Sequence, residues 1–371
     1  MAAFTVRLLT ALVLLLPGSA AAAAGTDPLR RALDGLVAAG APGALLLDRD
    51  GRHTARLTSG VADLATGRPA RITDRFRAAS LMKSYTAVVV LQLVQERRLG
   101  LDDAVDRLLP GVIPHGYGRG VTVRHLLQNT SGLFNFNDDP RVLAPYLAGD
   151  LGHVWTPQQL LDIAFEHPPL YRPGTGFNYS DTNFFLAAYI VEAVTGRSFD
   201  HELRARILRP LRLTGTDLPR TADIWGPHLH GYFPLGDPPV ATDLTYLYPW
   251  AWAAGGLTST VTDTARFYRA LFGGELLGPR LMREMMTNTV PDPDTDLPSS
   301  SGLGVQRWTP CGVAWGHSGN VAGYLVYAWI SPDTRRQTVL AINGDPQLLG
   351  AAGMAVYNDV LIRAFCGRRS P

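Results

Sequence analysis

Strand-period hydrophobicity falls at the two ends of this 371-residue chain, with a long helical stretch between them. Near the start, residues 43–47 and 53–59 read as short strands around an Asp48-Arg49-Asp50-Gly51 turn. Near the end, residues 304–308, 313–317, 324–330 and 337–343 read as a meander of strands. From Ser80 to about Met286 the signals are mainly helical, broken by Pro and Gly turns. Asp27-Pro28-Leu29 opens a first helix with an N-cap and a proline in the first turn, and Gly40 closes it. Residues 350–365 close the chain as a helix, and the Pro-, Asp- and Ser-rich run 291–302 reads as a surface loop. The pattern predicts an α+β fold. An antiparallel sheet is built from both chain ends (25–79 and 300–371) and flanked by the terminal helices, with a large, mostly helical region (80–299) inserted. A cleft is expected where the two parts meet.

With 46% hydrophobic and 18% charged residues, the chain has the makings of a sizeable core. A formal net charge of +2 without a basic cluster argues against nucleic acid as a partner. Arg7, the apolar run 8–16 and the small residues 19–24 read as a secretory signal peptide covering residues 1–24. No later stretch reads as long and apolar enough to span a bilayer. The expectation is a secreted, extracellular protein with no membrane partner once the signal is removed. Two cysteines, Cys311 and Cys366, suggest a disulfide in such a compartment. Their spacing suits no zinc site, so neither a metal nor an organic cofactor is expected.

Ala79-Ser80-Leu81-Met82-Lys83-Ser84 holds the single lysine of the chain; every other Lys-or-Arg position is Arg. Arginine stays protonated at physiological pH, whereas a buried lysine can lose its proton. The apolar run 85–96 reads as a buried helix, and residues i and i+3 share a face, so the Lys83 amine lies beside the Ser80 hydroxyl. Ser80 would sit at the helix N-terminus, where free N–H groups favour a developing oxyanion. This describes a Ser-Lys nucleophile unit. By itself Ser-x-x-Lys also fits a capping serine followed by a surface lysine.

Two further short motifs stand where the helical region and the strands meet: Tyr179-Ser180-Asp181 before a helix, and His317-Ser318-Gly319 on a strand. Ser-x-x-Lys accompanied by Ser-Asp-Asn and Lys-Thr-Gly is a penicillin-recognising set, and here Tyr-x-Asp and His-x-Gly occupy the second and third places. With Leu127-Gln128-Asn129-Thr130-Ser131-Gly132-Leu133, Pro173-Gly174, Gly256-Leu257-x-Ser259-Thr260 and Phe365-Cys366-Gly367, the chain resembles the exported serine D-alanyl-D-alanine carboxypeptidases of actinomycetes, in the same family as the class C β-lactamases. That family also holds esterases, amidases and D-aminopeptidases.

The resemblance implies that Ser80 forms an acyl-enzyme, with Lys83 and Tyr179 handling its proton. His317 would line the cleft and carry charge near neutral pH. Ser318 would donate to a substrate carboxylate, and Gly319 would keep the strand edge open to substrate. The backbone N–H groups of Ser80 and Asn320 would form the oxyanion hole. Trp250 would cover the cleft, with Trp252 the core alternative, and residues 134–137 would line the rim. The expected partners are peptidoglycan peptides or small acyl substrates and β-lactam antibiotics, acted on by a monomer. Two departures stand out. Asp181 replaces the usual Asn and cannot donate when ionised, which favours esters or amine-bearing substrates. The carboxylate-gripping Arg of the carboxypeptidases maps to either Gln306 or Arg307. The competing readings are an esterase or β-lactamase of this family, a non-hydrolytic penicillin-sensing fold, and an α/β-hydrolase elbow at Ser318.

Overall fold

The computed structural model describes residues 27–114, 116–247, 251–287, 289–292 and 297–367. The signal-peptide segment and Trp250 lie outside these residues. A nine-stranded sheet runs, edge to edge, through Arg68–Pro69, His53–Asp63, Gly43–Asp50, Arg336–Ile342, Tyr324–Ile330, Ala314–Val321, Gln306–Trp308, Ser299–Ser301 and Val290–Asp292. Every neighbouring pair is antiparallel. The two chain ends join in its interior, where Ala44 faces Ile342 and Leu46 faces Leu340.

Side chains alternate across this sheet with the two-residue period of a strand. Leu46, Leu340, Ile342 and Trp329 face the terminal helices Pro28–Ala38 and Pro346–Cys366. Leu45, Leu47, Val339 and Ala341 face the inserted helices. Two differences from the sequence pattern follow from packing. Part of the run expected as a loop at 291–302 forms the edge strands Val290–Asp292 and Ser299–Ser301. The closing helix Pro346–Cys366 is, by length and composition, apolar enough to cross a membrane, a property the sequence reading assigned to no later stretch. Its Leu349, Tyr357, Leu361 and Phe365 are buried against the sheet, which accounts for that composition. Cys366 at its end is disulfide-bonded to Cys311.

The helix Met82–Gln95 is buried almost all round, as expected of a helix at the centre of a domain. Two hydroxyls on it anchor the neighbouring backbone: Ser84 donates to the Gly304 carbonyl at 2.7 Å and Thr86 to that of Ala253 at 2.6 Å. Gly304 has φ +69°, and a Cβ there would stand 2.4 Å from the Ala87 methyl, so only glycine lets the two segments approach this closely.

Candidate active site

The extended pair Phe76–Arg77, hydrogen-bonded to Thr258–Ser259, leads into a single 3₁₀ turn, Ala79–Leu81, that feeds the buried helix. Ala79 holds φ +48°, an uncommon conformation for a residue with a side chain, immediately before Ser80. Ser80 is half-buried at a cavity wall.

Lys83 is fully buried. Its Nζ lies 3.1 Å from Ser80 Oγ, 3.0 Å from the Ala254 carbonyl and 2.5 Å from Asp181 Oδ1. An ammonium has three N–H groups, and these three acceptors and the Tyr179 oxygen share them. Burial pushes the lysine toward its neutral form, but the Asp181 carboxylate and the Tyr179 oxygen outweigh it and hold its pKa above the usual lysine range. The group is therefore an ammonium that donates to Ser80 Oγ. The serine's own hydrogen is left to point elsewhere, and the Tyr179 phenol is its hydrogen-bonded neighbour. Burial raises the Tyr179 pKa; the Lys83 charge and the hydrogen bonds with Ser80 and Lys83 pull it back without fully offsetting the rise. Lys83 Nζ stands 4.7 Å from the Tyr179 ring centroid.

A buried amide network holds the Tyr-Ser-Asp turn. Asn129, at φ +58°, accepts from the Ser180 N–H and from Asn183 Nδ2, while Asn135 Oδ1 accepts from the Asp181 N–H at 3.1 Å. Ser131 donates to Asn183, and Thr182 accepts from the Phe136 N–H. Asn137 Nδ2 donates to Asp181 Oδ2 at 2.7 Å. Position 181 therefore faces a donor on each oxygen, which suits a carboxylate. The pattern around Asn129 does not by itself point to this task. The signal present in the sequence is three asparagines, 129, 135 and 137, close together between apolar residues.

The third motif lies on Ala314–Val321, beside the Ser80 turn. A Cβ on Gly319 would stand 2.5 Å from the Ala78 carbonyl, so this glycine admits the turn itself; the sequence reading had it keeping room for substrate. His317 is buried, its ring 6.3 Å from that of Tyr179. Burial drops its pKa to about 3, and the Lys83 charge adds to the effect. Its Nδ1 pairs with the Ser318 carbonyl at 2.5 Å. The expected cationic His317 is therefore corrected to a neutral ring at ordinary pH.

Arg307 and Ser318 also differ from expectation. Arg307 stands opposite Trp315, on the strand face turned away from Ser318. The buried Gln306 takes the position beside the motif, its Oε1 accepting from the Ser318 N–H at 2.9 Å and from Ser318 Oγ at 3.0 Å. The Ser318 hydroxyl therefore donates inward to Gln306 and has no hydrogen left for a substrate carboxylate. Of the aromatic candidates, Trp252 packs edge-on against Phe185, Tyr189 and Phe199 as a core residue. Phe136 is buried, Phe134 stacks on His167, and Asn137 faces the cavity.

That cavity, of about 410 Å³, opens at Ser80, Asp181 and Asn320. Its far walls are apolar, including Leu143 and Leu147 on one side and Phe233 and Leu247 on the other. It carries two carboxylates, Asp181 and Asp345, and no Arg or Lys among its described lining residues. The arrangement supplies a hydroxyl, a fixed positive charge and a phenol at one point, next to a cleft suited to an apolar group with a cationic end.

A family profile described as Beta-lactamase matches residues 29–359. A D-stereospecific amidohydrolase from Streptomyces sp. is 36% identical with TM-score 0.78, the match covering 86% of this chain and 96% of that one. A D-amino acid amidase from Ochrobactrum anthropi SV3 is 27% identical with TM-score 0.80, covering 92% and 99%. Penicillin-binding protein 4 of Amycolatopsis lactamdurans is 29% identical over 304 residues, 78% of this chain and 77% of that protein. The match to penicillin-binding protein 4* of Bacillus subtilis, 28% identical, spans about half of that protein's length, 49%.

Proposed function

This chain belongs to the β-lactamase family of serine acyl-enzyme hydrolases, and we infer that within it the chain cleaves amides and short peptides of D-amino acids that carry a free amino group. The carrying observation is the lining of the cleft: two carboxylates, Asp181 and Asp345, and no Arg or Lys among the described lining residues, the buried Lys83 behind the wall being paired with Asp181. A substrate ammonium finds Asp345 and the lone pairs of Asp181 that Lys83 and Asn137 leave open, whereas a terminal carboxylate finds no lining Arg or Lys and no charged His317. The names of the Streptomyces and Ochrobactrum relatives support the D-configured amide.

In this reading Ser80 Oγ attacks the acyl carbonyl. The Tyr179 phenol relays the proton: it gives its own hydrogen to the leaving amine as it takes the one from Ser80, the Lys83 ammonium stabilising the negative charge that builds on its oxygen, so it ends the step as a phenol again. The tetrahedral oxyanion is received by the backbone N–H groups of Ser80 and Asn320. Water releases the acid by the reverse path. β-Lactams acylate the same serine. We place the protein outside the cell, a reading supported by residues 1–24 and by the disulfide.

A second reading, the D-alanyl-D-alanine carboxypeptidase of peptidoglycan stem peptides implied by the motifs, is favoured by the match along three quarters of penicillin-binding protein 4. One assay separates them. D-Phenylalaninamide, its N-acetyl derivative, a diacetyl-Lys-D-Ala-D-Ala peptide, a nitrophenyl ester and a cephalosporin are offered to the same preparation. Turnover of the free-amine amide above its N-acetyl derivative is expected. Release of D-Ala from the diacetyl peptide at the highest kcat/KM would replace the first reading with the second.

A further inference from the structure

We propose that Asp292, Gln306 and Ser318 form a hydrogen-bond relay that fixes Ser318 as an acceptor toward substrate and so selects leaving groups ending in a carboxamide over those ending in a carboxylate. The proposal rests on the reading above that amides are cleaved at Ser80.

The direction of the relay is set by which groups own hydrogens. Asp292 is buried, and its Oδ2 accepts from Ser301 Oγ at 3.1 Å and from Gln306 Nε2 at 3.1 Å. With its NH₂ end drawn to that carboxylate, the Gln306 amide must turn its oxygen the other way. That oxygen has no hydrogen, so both contacts it makes with Ser318 are donations from the serine, one from N–H and one from O–H. A serine hydroxyl has a single hydrogen and two acceptor lone pairs. The hydrogen is committed inward, and lone pairs are what remain for a ligand.

Ser318 is half-buried and stands one residue from Gly319, which abuts the turn carrying Ser80. A leaving group passing along this strand edge meets it. An amide N–H gains an acceptor there. A carboxylate meets a second set of lone pairs beside a neutral His317, with no Arg or Lys among the described residues lining the cavity. The sequence reading left open which of Gln306 and Arg307 is near the motif; the relay gives Gln306 a task beyond occupying the place of an arginine.

The test compares two D-peptides identical except for a C-terminal carboxylate or carboxamide, with product release followed by chromatography. The wild-type enzyme is expected to favour the carboxamide in kcat/KM by about tenfold, the scale of one mismatched hydrogen bond. Asp292→Asn lets the Gln306 amide turn over, because Asn offers both a donor and an acceptor; the ratio is expected to fall toward one. Gln306→Arg places a guanidinium between Asp292 and Ser318 and is expected to invert the ratio. Acylation of each variant by a nitrophenyl ester, which has no such terminus, reports whether Ser80 is intact. Equal wild-type cleavage of both peptides overturns the relay and leaves the amide reading standing, and cleavage of neither overturns both. Variants that lose activity on both peptides equally, with the ratio unchanged, also overturn it, since a purely structural role predicts that outcome. The wild-type ratio alone decides the matter if a variant does not fold.

Discussion

Replacing Asp181 with Asn removes the carboxylate that holds Lys83 charged inside the protein, and the cost should depend on pH in a calculable way. Lys83 is fully buried and 2.5 Å from Asp181 Oδ1. Breaking a buried pair by removing one partner typically costs about 3–5 kcal/mol when the other charge stays in place. The variant has an escape: Lys83 gives up its proton. Relative to an unfolded lysine of pKa about 10.4, this costs about 1.36 kcal/mol for each pH unit below that value, or roughly 4.6 kcal/mol at pH 7 and 1.9 at pH 9.

The sign follows from proton counts. In the wild type the folded Lys83 pKa is raised, so its stabilising contribution is fully present below the unfolded value and is lost only as pH climbs through the folded one. Between pH 7 and 9 it contributes no slope. In the variant the folded pKa falls below the unfolded one, so the unfolded state binds more protons and stability rises with pH. The gap between the two proteins should therefore narrow from pH 7 to pH 9, by up to about 2.7 kcal/mol. Asn137, whose Nδ2 donates to the other Asp181 oxygen, must also turn its amide to face an Asn, adding a pH-independent loss. Urea unfolding of both proteins at the two pH values measures the gap. A gap that is constant or widens would refute the charged-pair account.

Three further outcomes are expected. Ser80→Ala should give no covalent penicillin adduct by intact mass, and Lys83→Arg should slow acylation by about 10²–10⁴-fold, because a guanidinium cannot reproduce the three-way placement of the ammonium. His317, with a folded pKa of about 3, stays neutral while the unfolded chain takes up a proton below about pH 6.5, so stability should fall as pH drops from 6.5 toward 3. His317→Asn should flatten that slope, seen as Tm against pH, and the wild-type rate should show no His317 inflection between pH 5 and 8. Replacing both cysteines by serine opens a link spanning 55 residues and should cost about 4 kcal/mol in the chain-entropy model, read as a lower denaturant midpoint.

The strand meander was legible because its period-2 runs contain branched and aromatic residues, and Tyr324–Ile330 falls where the pattern placed it. The meeting of Ser80, Lys83 and Tyr179 was legible because one helical turn puts positions 80 and 83 on one face, the chain's single lysine marks the pair, and Tyr-x-Asp takes the second place of a known motif set. The charge state of His317 was not legible, since it depends on burial by segments far away in the chain. Nor was the choice between Gln306 and Arg307: a one-residue shift on a strand exchanges faces, and only the hydrogen bonds from Ser318 to Gln306 resolve it. Asp292 was hidden in a stretch whose composition reads as a loop.

Asp48 and Thr338, hydrogen-bonded across the middle of the sheet, are separated by 290 residues. As the chain emerges from the ribosome, Gly43–Asp50 has no permanent neighbour on one side until Arg336–Ile342 has been made. An unfinished chain thus presents an open, apolar strand edge, a template for aggregation. Helices synthesised early must wait for Ala314–Val321 and its neighbouring strands before the cleft acquires its second wall, which delays the appearance of a competent nucleophile until those strands are made.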